Sequence, residues 1–148
     1  MKNIFLALLF LTLSTNISAE NFFPREILSS EDSFNLSASV YKDDLIISIL
    51  INEKSYIYSE QLSLTDGLND ISYETIGELL EIKDEFLGES LIYRNSLDLL
   101  VRNLDRYINK SLMLTYQGCL EKVICYPKIS KNIKIKKDKN SNIFFEFL

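Results

Sequence analysis

The segment Ser33-Phe34-Asn35-Leu36-Ser37-Ala38-Ser39-Val40 alternates strictly between apolar and polar side chains. Phe34, Leu36, Ala38 and Val40 fall on one face and Ser33, Asn35, Ser37 and Ser39 on the other, the period of a strand with one buried and one hydrated side. Asp43-Asp44 follows as a turn signal, and the β-branched run from Leu45 to Ile51 reads as a more deeply buried strand. Two neighbouring strands joined by a turn set an antiparallel all-β expectation for what comes after.

Downstream the pattern continues. In Lys54-Ser55-Tyr56-Ile57-Tyr58 both tyrosines share a face and Ile57 takes the other. Leu62 and Leu64 suit a short strand before the turn residues Thr65-Asp66-Gly67. Glu74 to Phe86 breaks the series, because its helix formers place Ile76, Leu79, Leu80 and Lys83 along one side and locally predict a helix. Strand spacing returns in Leu91, Tyr93, Leu97, Leu99 and Val101, then in Leu112, Leu114 and Tyr116, and a last strand is expected over Ile129, Ile133 and Ile135. Some seven short strands separated by turn signals predict an immunoglobulin-like antiparallel β-sandwich. The six lysines Lys128, Lys131, Lys134, Lys136, Lys137 and Lys139 read as an edge strand protected from further pairing.

Upstream, Met1-Lys2-Asn3, the apolar run Ile4 to Leu13 and the small Ala19 ahead of Glu20 predict a signal peptide over residues 1–19, with an uncleaved membrane anchor as the alternative. The domain is expected over 20–137, leaving a tail over 138–148. That tail is too short to span a bilayer, and the chain is expected to be either a stand-alone module or a truncated version of a longer protein. The 148 residues suit one domain, and 47% hydrophobic with 25% charged residues are ordinary for a folded chain. A net charge of -5 argues against nucleic acid as a partner. No histidine is present, which excludes histidine-based triads, and two cysteines alone do not make a four-ligand zinc site. Neither a metal nor a cofactor is expected.

Both cysteines lie in Tyr116-Gln117-Gly118-Cys119-Leu120-Glu121-Lys122-Val123-Ile124-Cys125-Tyr126-Pro127, where they can close a short ring. An exported chain meets oxidants, so a structural disulfide is one reading. A ring of about seven residues contributes only roughly 2.4 kcal/mol through chain entropy, a weak staple. A redox switch is the other reading, with Gly118 giving close approach to a docking partner's backbone.

The segment Tyr116 to Cys119 with Cys125-Tyr126-Pro127 resembles the active-site signature of the amino-terminal periplasmic domain of the thiol:disulfide interchange protein DsbD family. Asp84-Glu85-Phe86-Leu87-Gly88 with Ile92-Tyr93-Arg94 resembles that family's cap loop and following strand, and Tyr56 and Tyr58 its pair of active-site tyrosines. The resemblance runs from Glu31 to Ile135. It implies an immunoglobulin-like fold with a cap loop over the cysteine pair, and a periplasmic relay without cofactor. Electrons would pass from a membrane-linked thioredoxin-like donor to thioredoxin-like partners such as disulfide isomerase and cytochrome c maturation thioredoxins. By position it makes Cys125 the cysteine that bonds to partners, Cys119 the resolving cysteine and Phe86 the cap residue. It also turns the end of the 74–86 stretch into a loop.

The surrounding chemistry suits a guarded thiol. Lys122 is the one cation inside the ring, and Asp84 and Glu85, with their cap loop over the site, would push a thiol pKa upward. Reactivity would then be gated by access past Phe86, since exchange needs a thiolate in line with the partner's disulfide. The alternative function is an immunoglobulin-like binding or adhesion module whose disulfide is purely structural.

Overall fold

The computed structural model of the chain describes residues 27–84 and 87–148. The signal-peptide expectation over 1–19 lies outside them. A one-turn helix, α1 (Ser30–Ser33), opens the described chain, and the Ser29 hydroxyl accepts the Asp32 amide at its start. Eleven strands follow among the described residues: β1 (Phe34–Tyr41), β2 (Asp44–Ile51), β3 (Ser55–Tyr58), β4 (Ser63–Thr65), β5 (Glu74–Asp84), β6 (Gly88–Val101), β7 (Ser111–Tyr116), β8 (Gly118–Leu120), β9 (Ile124–Cys125), β10 (Ile129–Lys137) and β11 (Ile143–Phe147).

The alternating segment at 33–40 becomes β1, which pairs antiparallel with β2 from Phe34↔Ile51 to Tyr41↔Asp44. Lys42, with φ 57°, closes the turn between them. The larger sheet runs β1-β2-β6-β3-β8-β9, with β5 paired to β6, and the smaller runs β11-β10-β7-β4. Their facing sides bury Leu45, Ile47 and Ile49 of β2, Ile57 of β3, Leu97 and Leu99 of β6, Leu112 and Leu114 of β7, and Ile133 and Ile135 of β10. That is the all-β sandwich the periodicity predicts, each strand contributing every second side chain. At one end Asp44 ties β2 to the end of β6. It accepts the Asn103 amide at 3.0 Å and Arg102 Nη1 at 2.8 Å, and these bonds hold its carboxyl below the usual range.

Three local expectations are corrected. Over the described part of the Glu74 to Phe86 stretch the expected helix is instead β5, which pairs with β6 from Glu74↔Leu100 to Asp84↔Gly88. Ladder pairing along a long neighbour outweighs the intrinsic helix propensity of Glu, Leu and Lys, which amounts to only tenths of a kcal/mol per residue. The register slips between Gly77 and Leu79, leaving Arg94 to Ser96 of β6 bulged beside Asn95 at φ 63°. The lysine-rich strand is not an edge: β10 lies between β7 and β11, with Lys131 bound to Glu31 and Lys136 to Glu146. Residues 143–147, expected in a tail, supply that extra strand.

Candidate functional site

The register of the larger sheet assembles the site. Tyr56 of β3 stands opposite Cys119 of β8, and Cys119 opposite Cys125 of β9. Tyr58 of β3 stands opposite Ile92 of β6, and Ile92 opposite Leu80 of β5. Because β-pairing puts opposed residues on one face, these side chains share the outer face of the sheet, turned away from the main core that Ile57 enters. Tyr56, Tyr58, Ile92 and Cys119 form a separate buried cluster, with Leu80, Ile82 and Cys125 packed against it.

Cys119 and Cys125 are joined by a disulfide, with Cα atoms 3.9 Å apart. The Tyr126 amide donates to the Gly118 carbonyl at 3.0 Å, so the neighbouring cysteine pair takes the closely approaching, non-hydrogen-bonded position of the ladder. Cys119 is buried at 1% exposure, whereas Cys125, on the outermost strand of the sheet, is half-buried. The Tyr58 hydroxyl lies 3.2 Å from Cys119 Sγ and 3.7 Å from Cys125 Sγ. A disulfide sulfur carries no hydrogen, so the hydroxyl is the donor. The Tyr56 and Tyr58 rings meet edge to face at 5.4 Å, and the Arg94 guanidinium lies over Tyr56 at 5.4 Å.

On the reverse side the backbone before Cys119 is pinned. A Cβ on Gly118 would lie 2.4 Å from the Tyr56 carbonyl oxygen and 2.5 Å from Phe34 Cζ. Gly118 therefore permits an approach inside the protein, not one by a docking partner, which corrects the sequence expectation. Phe34 stacks edge-on against Tyr116 and Tyr126, and the Tyr126 hydroxyl donates to the Leu28 carbonyl at 2.8 Å, strapping the N-terminal segment to the cysteine strand. Burial, and then the Glu31 charge, push the Tyr116 phenol well above its ordinary value.

The expected cap falls at the end of the β5–β6 hairpin. Asp84 ends β5, Gly88 opens β6 at φ 77°, and Leu87 lines a small cleft with Tyr58, Glu60 and Leu91. Glu85 and Phe86 lie outside the described residues. Sequence reasoning missed Leu80, Ile82 and Ile92 as the hairpin's contribution to the cluster. The alternation of Leu80 with Ile82, and of Ile92 with Arg94, carried that signal. Among the described residues no cluster of His, Cys, Asp and Glu could hold a metal, and no helix is long and apolar enough to cross a membrane.

A two-sheet antiparallel sandwich with one cross-strand disulfide, half open to solvent beside an aromatic wall, defines an immunoglobulin-like domain with a partly accessible disulfide. Residues 25–137 match the family described as thiol:disulfide interchange protein DsbD, N-terminal, and the chain belongs to that family. The thiol:disulfide interchange protein DsbD of Haemophilus ducreyi is 33% identical over 131 residues, covering 86% of this chain and 22% of the relative. Its counterpart in Salmonella typhi is 29% identical over 110 residues, covering 74% and 19%. The chain thus spans about a fifth of the length of these relatives. In structure it is similar to the Neisseria meningitidis DsbD N-terminal domain in the reduced form, with a TM-score of 0.62 at 23% identity over 80% of this chain and 94% of that one. A second similar structure comes from the complex between the DsbD and PilB N-terminal domains of the same organism. Its TM-score is 0.56 at 26% identity, over 72% of this chain and 85% of the other.

Proposed function

We propose that the chain is a periplasmic protein-disulfide reductase domain, exported by residues 1–19, which relays two electrons at a time through Cys119 and Cys125. The observation that carries this reading is the asymmetry of the pair. Cys125 reaches solvent on the outermost strand while Cys119 stays buried beside a hydroxyl donor.

In the loading half-reaction a thiolate of a membrane-linked, thioredoxin-like donor attacks Cys125 Sγ. The Cys119–Cys125 bond breaks, and Cys119 leaves as a thiolate that accepts the Tyr58 O–H. The donor's second thiolate then attacks its own bonded sulfur, leaving the donor oxidised and this domain as a dithiol. In the delivery half-reaction the Cys125 thiolate attacks a disulfide of a thioredoxin-like partner, of the disulfide isomerase or cytochrome c maturation class. Cys119 then attacks Cys125, re-forms the internal bond and expels the reduced partner. Exchange of this kind needs an accessible sulfur for the attack and a stabilised leaving sulfur, and here the two are separate atoms. The cap role that the family resemblance gives to Phe86 and Glu85 belongs to this reading, and both residues lie outside the described ones. The similar domain solved with a PilB N-terminal domain supports a protein rather than a small molecule as the exchange partner.

Trapping tests the assignment. Cys119→Ser leaves Cys125 able to attack but removes the sulfur that resolves the product, so a mixed disulfide with a thioredoxin-like partner is expected to accumulate on non-reducing gels. Cys125→Ser should trap nothing. Equal trapping by both variants, or by neither, removes the relay reading.

A further inference from the structure

We infer that Arg94 is a positioning residue for disulfide exchange, holding the ring between the cysteines in register so that the bond re-forms efficiently. The inference rests on the relay reading above. The two sulfurs are unequally anchored. Cys119 sits in β8, which is paired on both sides, to β3 through Tyr56↔Cys119 and to β9 through Cys119↔Cys125. Cys125 sits in the two-residue β9, which ends the sheet and pairs with β8 alone. When an external thiol opens the bond and occupies Cys125, Tyr126 still anchors the far end of β9, and the connection leading into it is the part that can drift. The probability of return then depends on what restrains Leu120 to Ile124.

Arg94 supplies a restraint from outside the ring. The β3–β6 register, Ile57↔Tyr93 and Tyr58↔Ile92, extends by one residue to set Arg94 opposite Tyr56. The row across the face is therefore Arg94, Tyr56, Cys119, Cys125. The slip between Gly77 and Leu79 leaves Arg94 without a β5 partner, at the bulge where the hairpin turns over the cysteine cluster. Its guanidinium lies over the Tyr56 ring at 5.4 Å, and its Nη1 binds Glu121 Oε2 at 3.3 Å. Glu121 lies inside the ring, and its amide is bound to the Lys54 carbonyl at 2.8 Å. One planar cation thus ties the aromatic wall to the connection between the sulfurs, a geometry the single-point charge of a lysine does not reproduce.

Glutathione provides a balanced assay. Its thiolate attacks Cys125 Sγ and releases the Cys119 thiolate. Either Cys119 attacks back and expels glutathione, or a second glutathione attacks the mixed disulfide to give the domain dithiol and glutathione disulfide. The equilibrium constant of the full exchange reads the effective molarity of ring closure. For Arg94→Ala that effective molarity should fall about fivefold, as expected for loss of a partly exposed cation–π contact and ion pair. The mixed disulfide at Cys125, quantified by mass spectrometry after acid quench, should rise correspondingly.

Glu121→Gln, which keeps the side-chain volume, should shift both quantities in the same direction by less, and Arg94→Lys should fall between Arg94→Ala and the parent. Thermal melts of the oxidised proteins confirm that the variants are folded. Unchanged effective molarity in folded Arg94→Ala overturns the proposal, as does full restoration by lysine, which would make charge alone sufficient. If Cys119→Ser traps no mixed disulfide with a thioredoxin-like partner, the relay reading falls and the proposal with it. Parental exchange with unaffected variants removes the proposal only.

Discussion

In the proposed relay, the chemistry of the pair turns on Tyr58. Opening the disulfide creates charge on Cys119, at 1% exposure, and desolvation disfavours a thiolate there unless a donor meets it. The Tyr58 hydroxyl, 3.2 Å from that sulfur, is already in place and reorganises little as the charge develops. A hydrogen bond to a charged group contributes about 1.5–3 kcal/mol. Tyr58→Phe keeps the ring that meets Tyr56 edge to face and removes the hydroxyl. Reduction of the oxidised variant by dithiothreitol at neutral pH should slow at least about tenfold, measured by stopped-flow tyrosine fluorescence. The pH–rate profile for alkylation of the reduced variant should also move upward, because the thiolate has lost its partner. An unchanged rate would mean that the hydroxyl only packs.

The hairpin of β5 and β6 brings cover to the same site. Its outer half places Leu80, Ile82 and Ile92 on the cysteine cluster, while Ile76 and Leu79 remain exposed. Leu80→Ala with Ile82→Ala should leave the sandwich folded and speed attack by a small thiol about tenfold, equivalent to ~1.4 kcal/mol of lost cover. Reaction rates with dithiothreitol, set beside the thermal midpoint, separate loss of cover from loss of fold. This element was also the least legible in the sequence. β1 and β2 could be read because alternation fixes which face is buried, and the offset of Tyr56 and Tyr58 from Ile57 already separated the site face from the core. In Glu74 to Asp84 the same residues satisfy a helical spacing, and the deciding ladder lies in β6, beyond any local window. Arg94 and Glu121 were hidden for a related reason: they are 27 residues apart and meet only through the β3–β6 register. Gly118 signalled close approach correctly but not its direction, since the Phe34 ring that fills the space comes from β1.

At the scale of the whole molecule the disulfide is set apart from what holds the fold together. The main core gathers Phe34, Leu45, Ile47, Ile57, Leu99, Leu114, Ile133 and their neighbours from both sheets, and neither cysteine belongs to it. The pair lies in the smaller cluster on the opposite face. A ring spanning six positions constrains the unfolded chain little, so its loss costs roughly 2.4 kcal/mol by the chain-entropy account. Domains of this size have about 5–15 kcal/mol of stability, enough to survive that loss. Urea unfolding with and without dithiothreitol should therefore show one cooperative transition in both states. The midpoint should fall on reduction with little change in slope, because the surface exposed is nearly the same. A relay needs this property, since the domain must remain folded and recognisable to its partners while the bond is open. Unfolding on reduction at 25 °C without urea would make the bond a staple and return the chain to the class of structural disulfide modules. A dithiol state that keeps the sandwich leaves the bond free to serve exchange.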